Sequence, residues 1–282
     1  MIVNAVQTEK TSAGDGIRNF EEGPDFVQSL ARGLSVLRAF DGDQPRLSLA
    51  AVAARSGLSR AAARRLVLTL QHLGYVRADG REFTLTPRVL ELGFGFLGSL
   101  QLADVAQPLM EDLSHRVGES CSMAVLDGQS IVYVARIPVR KVMTVSLGVG
   151  ARLPAYCTSM GRALLSGLTD RELNAWLQDC RPTAHTVHTV IDPLRLGRLV
   201  EEVRALGHAY VEQELELGLC SVAVPVHNRD GRVAAALNVG MRFDNGARGR
   251  ALDELVPALR DTAEALERCI PPNWLPPVSG CK

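Results

Sequence analysis

Residues 47–85 read LSLAAVAARSGLSRAAARRLVLTLQHLGYVRADGREFTL and contain the start and stop signals of two short helices followed by a hairpin. Ser48 and Ser59 each precede a run with helical periodicity, and a serine hydroxyl there can accept a hydrogen bond from a free amide of the first turn. Gly57 suits the left-handed end of the first helix, and Gly80 suits the tight turn of the hairpin. The pattern predicts a winged helix-turn-helix, whose second helix is long enough to lie in a DNA major groove.

Arginines are concentrated in and around this stretch. Residues 26–89 contain ten arginines and four acidic residues, a local balance of +6, whereas the formal net charge of the whole chain is zero. A basic module joined to a mildly acidic remainder is typical of a phosphate-binding domain carried by a second domain. The predicted DNA contacts lie at the helix starts, on the second helix and on the wing: Ser48, Ser59, Arg60, Arg64, Arg65, Arg77 and Arg81. The alternative is an ordinary solvated basic face.

The flanking sequence completes this N-terminal domain. We predict a disordered tail at residues 1–24, the winged helix-turn-helix domain at 25–86 and a linker helix at 87–100. The first helix of the domain presents one apolar face, which consists of Phe26, Leu30, Leu34, Leu37 and Phe40. Apolar residues surround the linker helix almost completely, so it needs partners on more than one side. It is buried between two domains or it also forms a homodimer contact, since a helix-turn-helix commonly reads two half-sites.

The second half of the chain changes from helical to alternating periodicity at residue 119. Strands are predicted at 121–126, 131–136, 142–147, 209–214, 221–226 and 233–239. Helices are predicted at 102–117, 158–168, from 169 through Trp176, at 194–206 and at 249–269, with Pro257 bending the last one. Hairpin-linked strands with helices on their faces indicate an α+β domain around one antiparallel sheet. We place this domain at residues 101–272 and a tail at 273–282.

Composition limits the class of protein. The chain has 282 residues, 46% of them hydrophobic and 22% charged, which favours two globular domains. It contains no apolar run of membrane-spanning length and no signal-peptide pattern at its N-terminus, so we expect a cytoplasmic protein. The six cysteines form no CxxC pair and are expected to be reduced, buried thiols.

Three segments of the sequence resemble the IclR family of transcription regulators: residues 47–59, 150–162 and 207–228. The third is similar to the family signature but has Val211 where an acidic residue or serine is common, and the resemblance implies that this position faces the effector. Within the family, residues 153–162 and 213–219 most resemble the branch that controls aromatic-acid breakdown through the β-ketoadipate route. The resemblance implies a GAF-like effector domain, homodimers or tetramers, and a small aromatic carboxylate such as protocatechuate or 4-hydroxybenzoate as effector.

The effector site is predicted around the start of the helix at 158. Thr158 can cap that helix, and the amides of Ser159 and Met160 can receive a carboxylate. Strand geometry adds Arg136 and Asn238, which we place on neighbouring strands, as polar candidates. The resemblance adds the pocket walls Val142, Leu153, Leu219 and Ser221. The alternative is that Thr158 only caps a helix and that Asn238 is a satisfied core amide.

Two functions are compatible with these patterns: a ligand-responsive regulator, or an enzyme acting on aromatic acids that uses its N-terminal module for oligomerisation. Cys157 lies near a helix start, which can favour a thiolate, but no motif couples a nucleophile to a base. His185 and His188 have the spacing of metal ligands on a helix, yet they lie in an irregular stretch without a third ligand. We therefore predict a regulator with no catalytic residue, no metal site and no cofactor.

Overall fold

The computed structural model describes residues 25–41, 44–92, 102–139 and 148–269, with side chains from 106 onward in the third range. The chain divides into two compact units, residues 1–95 and residues 96–282. Among the described residues, no helix is long and apolar enough to cross a membrane. The predicted tails, most of the predicted linker helix and the predicted strand at 142–147 lie outside the described residues.

The N-terminal unit is a winged helix-turn-helix, as the sequence predicts. Its described helices are α1 (Gln28–Arg38), α2 (Leu49–Ser56) and α3 (Arg60–His72). Its strands are β1 (Arg46–Ser48), β2 (Val76–Asp79) and β3 (Glu82–Leu85), in the antiparallel order β1-β3-β2. The predicted linker helix opens with a 3₁₀ turn at Pro87–Val89, and residues 90–92, the last described in this unit, are α-helical. Strand β1 was not predicted, since three residues are too few to show a periodicity, and it exists because Leu47 pairs with Phe83.

Serine caps and one glycine define the turn between α2 and α3. Ser48 Oγ accepts a hydrogen bond from Ala51 N, and Ser59 Oγ accepts one from Ala62 N, each at 3.3 Å. Gly57 ends α2 with φ +68°, a left-handed conformation that costs glycine little. The helix-turn-helix angle is therefore fixed by local signals that the sequence displays.

The apolar face predicted for the first helix is only partly correct. Leu30 is 62% exposed within the described chain, and Leu34 is exposed as well. The buried residues near the end of α1 are Val36, Ala39 and Phe40. The reason is that α1 meets α2 and α3 through its second half, so the periodic leucines of its first half fall outside the core of this unit.

The second unit is built on a six-stranded antiparallel sheet, which confirms the α+β class. Its strands are β4 (Ser120–Asp127), β5 (Ser130–Ile137), β6 (Arg152–Pro154), β7 (Ala209–Glu212), β8 (Leu219–His227) and β9 (Val233–Arg242), in the order β6-β5-β4-β9-β8-β7. Its described helices are α4 (Leu102–Val117), α5 (Ser159–Leu165), α6 (Asp170–Asp179), α7 (Pro193–Leu206), α8 (Ala247–Arg250) and α9 (Val256–Glu267). Strand β6, like β1, is too short to have been predicted.

Helices cover both faces of this sheet. On one face, α4 and α9 bury residues such as Leu113 and Leu259 against alternate strand positions such as Met123. On the other face, α5, α6 and α7 bury Met160 and Trp176 among others. Because alternate residues of a strand point to opposite faces, the side chains at 120 and 122 belong to the α5 face. That face holds the cavity described below.

Two details of this unit differ from the sequence prediction. The last helix is not continuous, because a π-helical turn at Ala251–Leu255 separates α8 from α9. Pro257 lies just after that turn, and a proline lacks the N–H that a regular helix needs at this point. The free cysteines 121, 157, 180 and 220 are buried as expected, but Cys269 is exposed because it follows the end of α9.

Candidate DNA interface and effector cavity

The predicted DNA-contacting residues all lie on the surface of the N-terminal unit: Ser48, Ser59, Arg60, Arg64, Arg65, Arg77 and Arg81. We call the five arginines of this set the basic surface. Three of them project from α3, whose opposite face buries Ala63 and Val67 in the core. Arg77 lies on β2 and Arg81 in the turn that follows it. Helix α3 and the wing therefore present their cations to solvent.

The basic surface differs from the neighbouring arginines in its ion pairs. Within the part of the chain that the structure describes, none of its five guanidinium groups pairs with a carboxylate. The other cations of this unit behave differently: Arg46 pairs with Asp79 at 3.2 Å, Arg55 pairs with Asp41, and Arg88 pairs with Glu91 at 3.3 Å. The unpaired guanidinium groups keep their donors available for phosphate oxygens or guanine edges.

The first turn of α3 adds a further attraction for anions. Ser59 caps it, and the turn contains no acidic residue. The free amides at a helix start carry a partial positive charge, which Arg60 reinforces at the first helical position. A phosphate group is the natural partner of this arrangement.

The second unit contains a cavity of about 60 Å³ on the α5 face of its sheet. Part of its floor is a row of three residues that face each other on neighbouring strands, which we call the polar row. Ser122 of β4 is opposite Arg136 of β5 on one side and Asn238 of β9 on the other. Arg136 and Asn238 are not on neighbouring strands, as expected from the sequence, because β4 lies between β5 and β9. The strand register brings them to either side of Ser122.

A second row crosses the sheet two residues further along, and we call it the glycine row. Gly240 of β9 lies at its centre, opposite Ser120 of β4 and Ser221 of β8. Val211 of β7 continues the row beyond Ser221. All four residues line the cavity.

The start of α5 forms another wall of the cavity. Thr158 Oγ1 accepts a hydrogen bond from Gly161 N and donates one to Pro154 O, each at 3.1 Å, so the predicted cap is present. The hydroxyl groups of Ser159 and Ser221 are 2.8 Å apart and join the helix to the glycine row. Gly161 is required here because a Cβ atom would lie 2.0 Å from a backbone oxygen.

A buried ion pair supports this wall from behind. Arg162 donates to Glu214 at 2.7 Å, and both side chains are almost fully buried. Arg162 also donates to Tyr156 O, while Glu214 accepts from Val190 N at 3.1 Å. Glu214 lines the cavity, but Arg162 already balances its charge.

Arg136 gives the cavity an uncompensated positive charge. Its Nη1 donates to Ser122 Oγ at 3.4 Å. No carboxylate among the described residues forms an ion pair with it. Since Glu214 is neutralised by Arg162, the net charge of the described cavity wall is positive, which favours an anionic ligand.

Burial keeps two reactive groups of the cavity protonated. It raises the pKa of the Tyr133 phenol to about 12, although Arg136 lowers it slightly. Burial, with a smaller contribution from the Glu214 charge, raises the pKa of the Cys157 thiol to about 12. Cys157 is therefore a neutral thiol rather than the thiolate considered from its position near a helix start. Tyr133 remains a hydrogen-bond donor.

The structure brings most of the predicted effector residues around this one cavity. Eight of the nine line it: Arg136, Leu153, Thr158, Ser159, Met160, Leu219, Ser221 and Asn238. The ninth, Val142, lies outside the described residues. Val211, the signature position expected to face the effector, lines it as well. Sequence reasoning missed the other eight lining residues: Ser120, Ser122, Tyr133, Cys157, Gln213, Glu214, Leu215 and Gly240. Period-2 alternation through Arg136 and its partner strand could have found the serines, whereas the residues at 213–215 follow a strand end that has no such signal.

The histidines considered as metal ligands have another role. His185 Nε2 is 2.9 Å from the hydroxyl group of Tyr156, which also bonds to Thr183 O. Over the described residues, no group of three or more His, Cys, Asp or Glu side chains could hold a metal ion. The hydrogen bonds of His185 tie the irregular stretch at 181–191 to Tyr156.

Comparison with known families gives two matches that together span most of the chain. Residues 29–80 match the family described as the IclR helix-turn-helix domain. Residues 94–268 match the family described as the C-terminal domain of the bacterial transcriptional regulator IclR.

Similar proteins and structures agree with these matches. The Pca regulon regulatory protein of Pseudomonas putida is 43% identical over 86% of this chain and 84% of its own. The p-hydroxybenzoate hydroxylase transcriptional activator of Acinetobacter baylyi is 37% identical, over 87% and 93% of the two chains. A crystal structure of an IclR homologue complexed with 4-hydroxybenzoate, from Microbacterium hydrocarbonoxydans, is 27% identical with a TM-score of 0.75, over 85% and 98%.

Proposed function

This chain belongs to the IclR family of bacterial transcription regulators, and from that premise we propose that it controls genes of aromatic-acid catabolism in response to a small aromatic carboxylate. The observation that carries the proposal is the pairing of an unneutralised basic surface with a separate cavity whose described wall has a net positive charge. The enzyme alternative is dropped, since the matched families and relatives are regulators.

The basic surface supports DNA recognition through α3 and the wing. Helix α3 lies in the major groove, where the Arg64 guanidinium reaches guanine O6 and N7 or a phosphate. Ser59 and Arg60 at the start of α3 hold a phosphate. Arg77 and Arg81 reach the backbone or the minor groove from the wing. Two α3 helices of a homodimer, or of a tetramer formed from dimers, read two half-sites.

The cavity supports binding of an anionic ring. The charge of Arg136 balances a carboxylate, and the amides that begin α5 at Ser159 and Met160 add donors. Leu153 and Leu219 provide apolar walls for the ring. Two relatives are named for the Pca regulon and for p-hydroxybenzoate hydroxylase, and a structural neighbour contains 4-hydroxybenzoate. Protocatechuate and 4-hydroxybenzoate are therefore our first candidates.

Regulation requires that the effector bind one arrangement of the DNA-binding units more tightly than another. We propose that the helices of residues 88–117 transmit this preference in a cytoplasmic homodimer or tetramer. A ligand with equal affinity for both arrangements would not change operator binding, however tightly it bound.

A gel-shift titration tests the DNA-binding half. Full-length protein is titrated against its own upstream region at rising salt, with an unrelated fragment of equal length as competitor. We expect specific binding that weakens steeply as ionic strength rises, because bound arginines release counterions from the DNA. Absence of binding together with turnover of an aromatic acid would refute the regulator and restore the enzyme alternative.

A thermal-shift screen tests the effector half with protocatechuate, 4-hydroxybenzoate, catechol, muconate and β-ketoadipate. A ligand that binds only the folded state raises the melting temperature by mass action, and we expect the aromatic carboxylates to do so. Arg136→Gln should weaken their binding about 10- to 100-fold, because a hydrogen bond to a charged group is lost. Arg152→Gln is the matched control, since Arg152 lies on β6 and pairs with Asp127 outside the cavity. Equal losses in both variants, or no shift with any compound, would refute the site.

A further inference from the structure

Within the described residues, Asn238 is the member of the polar row whose buried side-chain oxygen has no hydrogen-bond partner. We propose that Asn238 selects effectors that carry a ring hydroxyl group, by accepting a hydrogen bond from that hydroxyl. The inference rests on the proposed function, because it assigns a residue to one substituent of the aromatic carboxylate.

Asn238 lies in a floor whose serine hydroxyl groups each have a hydrogen-bond partner among the described residues. Among the described residues, Ser122 bonds to Arg136, Ser120 accepts from Val139 N at 2.9 Å, and Ser221 bonds to Ser159. Asn238 is 8% exposed, and its Oδ1 atom receives no hydrogen bond from the part of the chain described. It lines the cavity from the centre of the sheet.

The chemistry of an amide oxygen decides which ligand group fits. A buried acceptor without a donor is costly, so a ligand that supplies a donor gains the free energy of satisfying it. An ionised carboxylate has only acceptor atoms and cannot satisfy Oδ1. A phenolic hydroxyl group can donate to it. With Arg136 engaged by the carboxylate, the ligand that satisfies the whole polar row carries both an acid group and a hydroxyl group.

The glycine row supplies the space that such a ring needs. A Cβ atom built on Gly240, two residues from Asn238 on the same strand, would meet no atom within 4 Å. Glycine inside a strand often marks a place where a ligand approaches the backbone closely. The ring can therefore lie over Gly240 while its hydroxyl group reaches Asn238.

The test is isothermal titration of the full-length protein with four probes: benzoate, 3-hydroxybenzoate, 4-hydroxybenzoate and 4-methoxybenzoate. Wild type should bind at least one hydroxybenzoate about tenfold or more tightly than benzoate and 4-methoxybenzoate, which lack the donor. Asn238→Leu keeps the branched shape of the side chain but removes the acceptor, and should bring these ratios to within about threefold. Asn245→Leu is the matched control, because it makes the same substitution at an exposed residue that does not line the cavity, and it should leave the ratios unchanged.

The outcomes separate the inference from the proposed function. Hydroxybenzoate selectivity that survives in Asn238→Leu overturns the inference but leaves the effector site intact. Failure of every probe to bind wild type overturns both. If Asn238→Leu does not fold, Asn238→Ala also removes the acceptor, and the ratio of hydroxybenzoate to benzoate affinity is measured in that variant instead. Gly240→Ala should weaken binding of all four rings about equally without lowering the melting temperature, and unchanged affinities would contradict the proposed position of the ring.

Discussion

The two units of this chain differ in the exposure and ion pairing of an arginine on one of their helices. Arg64 on α3 is exposed and, within the described residues, pairs with no carboxylate. Arg162 on α5 is buried, bonded to Glu214 at 2.7 Å and also bonded to a backbone carbonyl. Both arginines lie on helices, but their surroundings differ. The charge of Arg64 is available to a binding partner, whereas the charge of Arg162 is neutralised by Glu214 within the same unit.

The comparison teaches where a functional charge can be found. A guanidinium in water costs little and keeps its five donors free, which suits a polyanion such as DNA. A buried guanidinium must be paired, so it stabilises the wall of a cavity rather than binding the ligand. Arg136 lies between these cases, since it lines the cavity with a serine as its only bonded partner among the described residues.

Breaking the buried pair should have the largest effect. Glu214→Ala leaves the Arg162 charge buried without a carboxylate, so the free energy of unfolding should fall by about 3–5 kcal/mol. Urea denaturation followed by the fluorescence of Trp176, which is buried in the same unit, measures it in a Trp274→Phe background that removes the second tryptophan of the sequence. The control is Arg268→Ala, which removes an exposed pair with Glu264 and should cost about 0–1 kcal/mol. Similar decreases in the free energy of unfolding of the two variants would show that the buried ion pair contributes no more to stability than the exposed one.

Alkaline pH should destabilise the second unit through its buried thiols. Burial raises the pKa of Cys121 and Cys157 to about 12 and that of Cys220 to about 11, against an ordinary value of 9.0. Between pH 9 and these values the unfolded thiols lose protons while the folded ones keep them. Stability should therefore be complete below pH 9 and fall as the pH rises, by about 1.4 kcal/mol for each thiol at pH 10.

Urea denaturation at pH 8 and pH 10 under reducing conditions measures this loss. Residues 1–95 contain no cysteine, so melting of the N-terminal helices should be less sensitive to the same change. Cys157→Ala should reduce the pH dependence of the Trp176 transition. An identical pH dependence in this variant would show that the Cys157 thiol is not the group responsible.

Removing one unpaired guanidinium group of the basic surface should have the smallest effect of the three on stability. It should weaken DNA binding without changing ligand binding. Arg64→Ala should weaken operator binding by about 1–3 kcal/mol, reduce its salt dependence, and leave ligand affinity unchanged. Gel shift and titration calorimetry measure the two affinities. Arg55→Ala is the matched control, because Arg55 lies on α2 and pairs with Asp41. Equal loss of DNA and ligand binding in Arg64→Ala would refute the separation of roles.

Much of the fold could be predicted because its signals are local. Ser48, Gly57 and Ser59 fix the helix-turn-helix through caps that act within one turn of the chain. Helix α4 was predicted with the bounds that the structure has, since sixteen residues show the period clearly. Strands β1 and β6, with three residues each, depend on pairing with distant strands and gave no signal.

The sequence by itself determined the elements, the class of each unit and a local excess of arginine, because propensity, capping and charge are properties of neighbouring residues. Only the tertiary structure decided which arginines remain unpaired, that Leu30 lies outside the core, and that Arg136, Ser122 and Asn238 form one row. These outcomes depend on strand register and on packing between segments up to about a hundred residues apart. A one-residue change of register would turn the whole row to the opposite face of the sheet, and no local pattern encodes that choice.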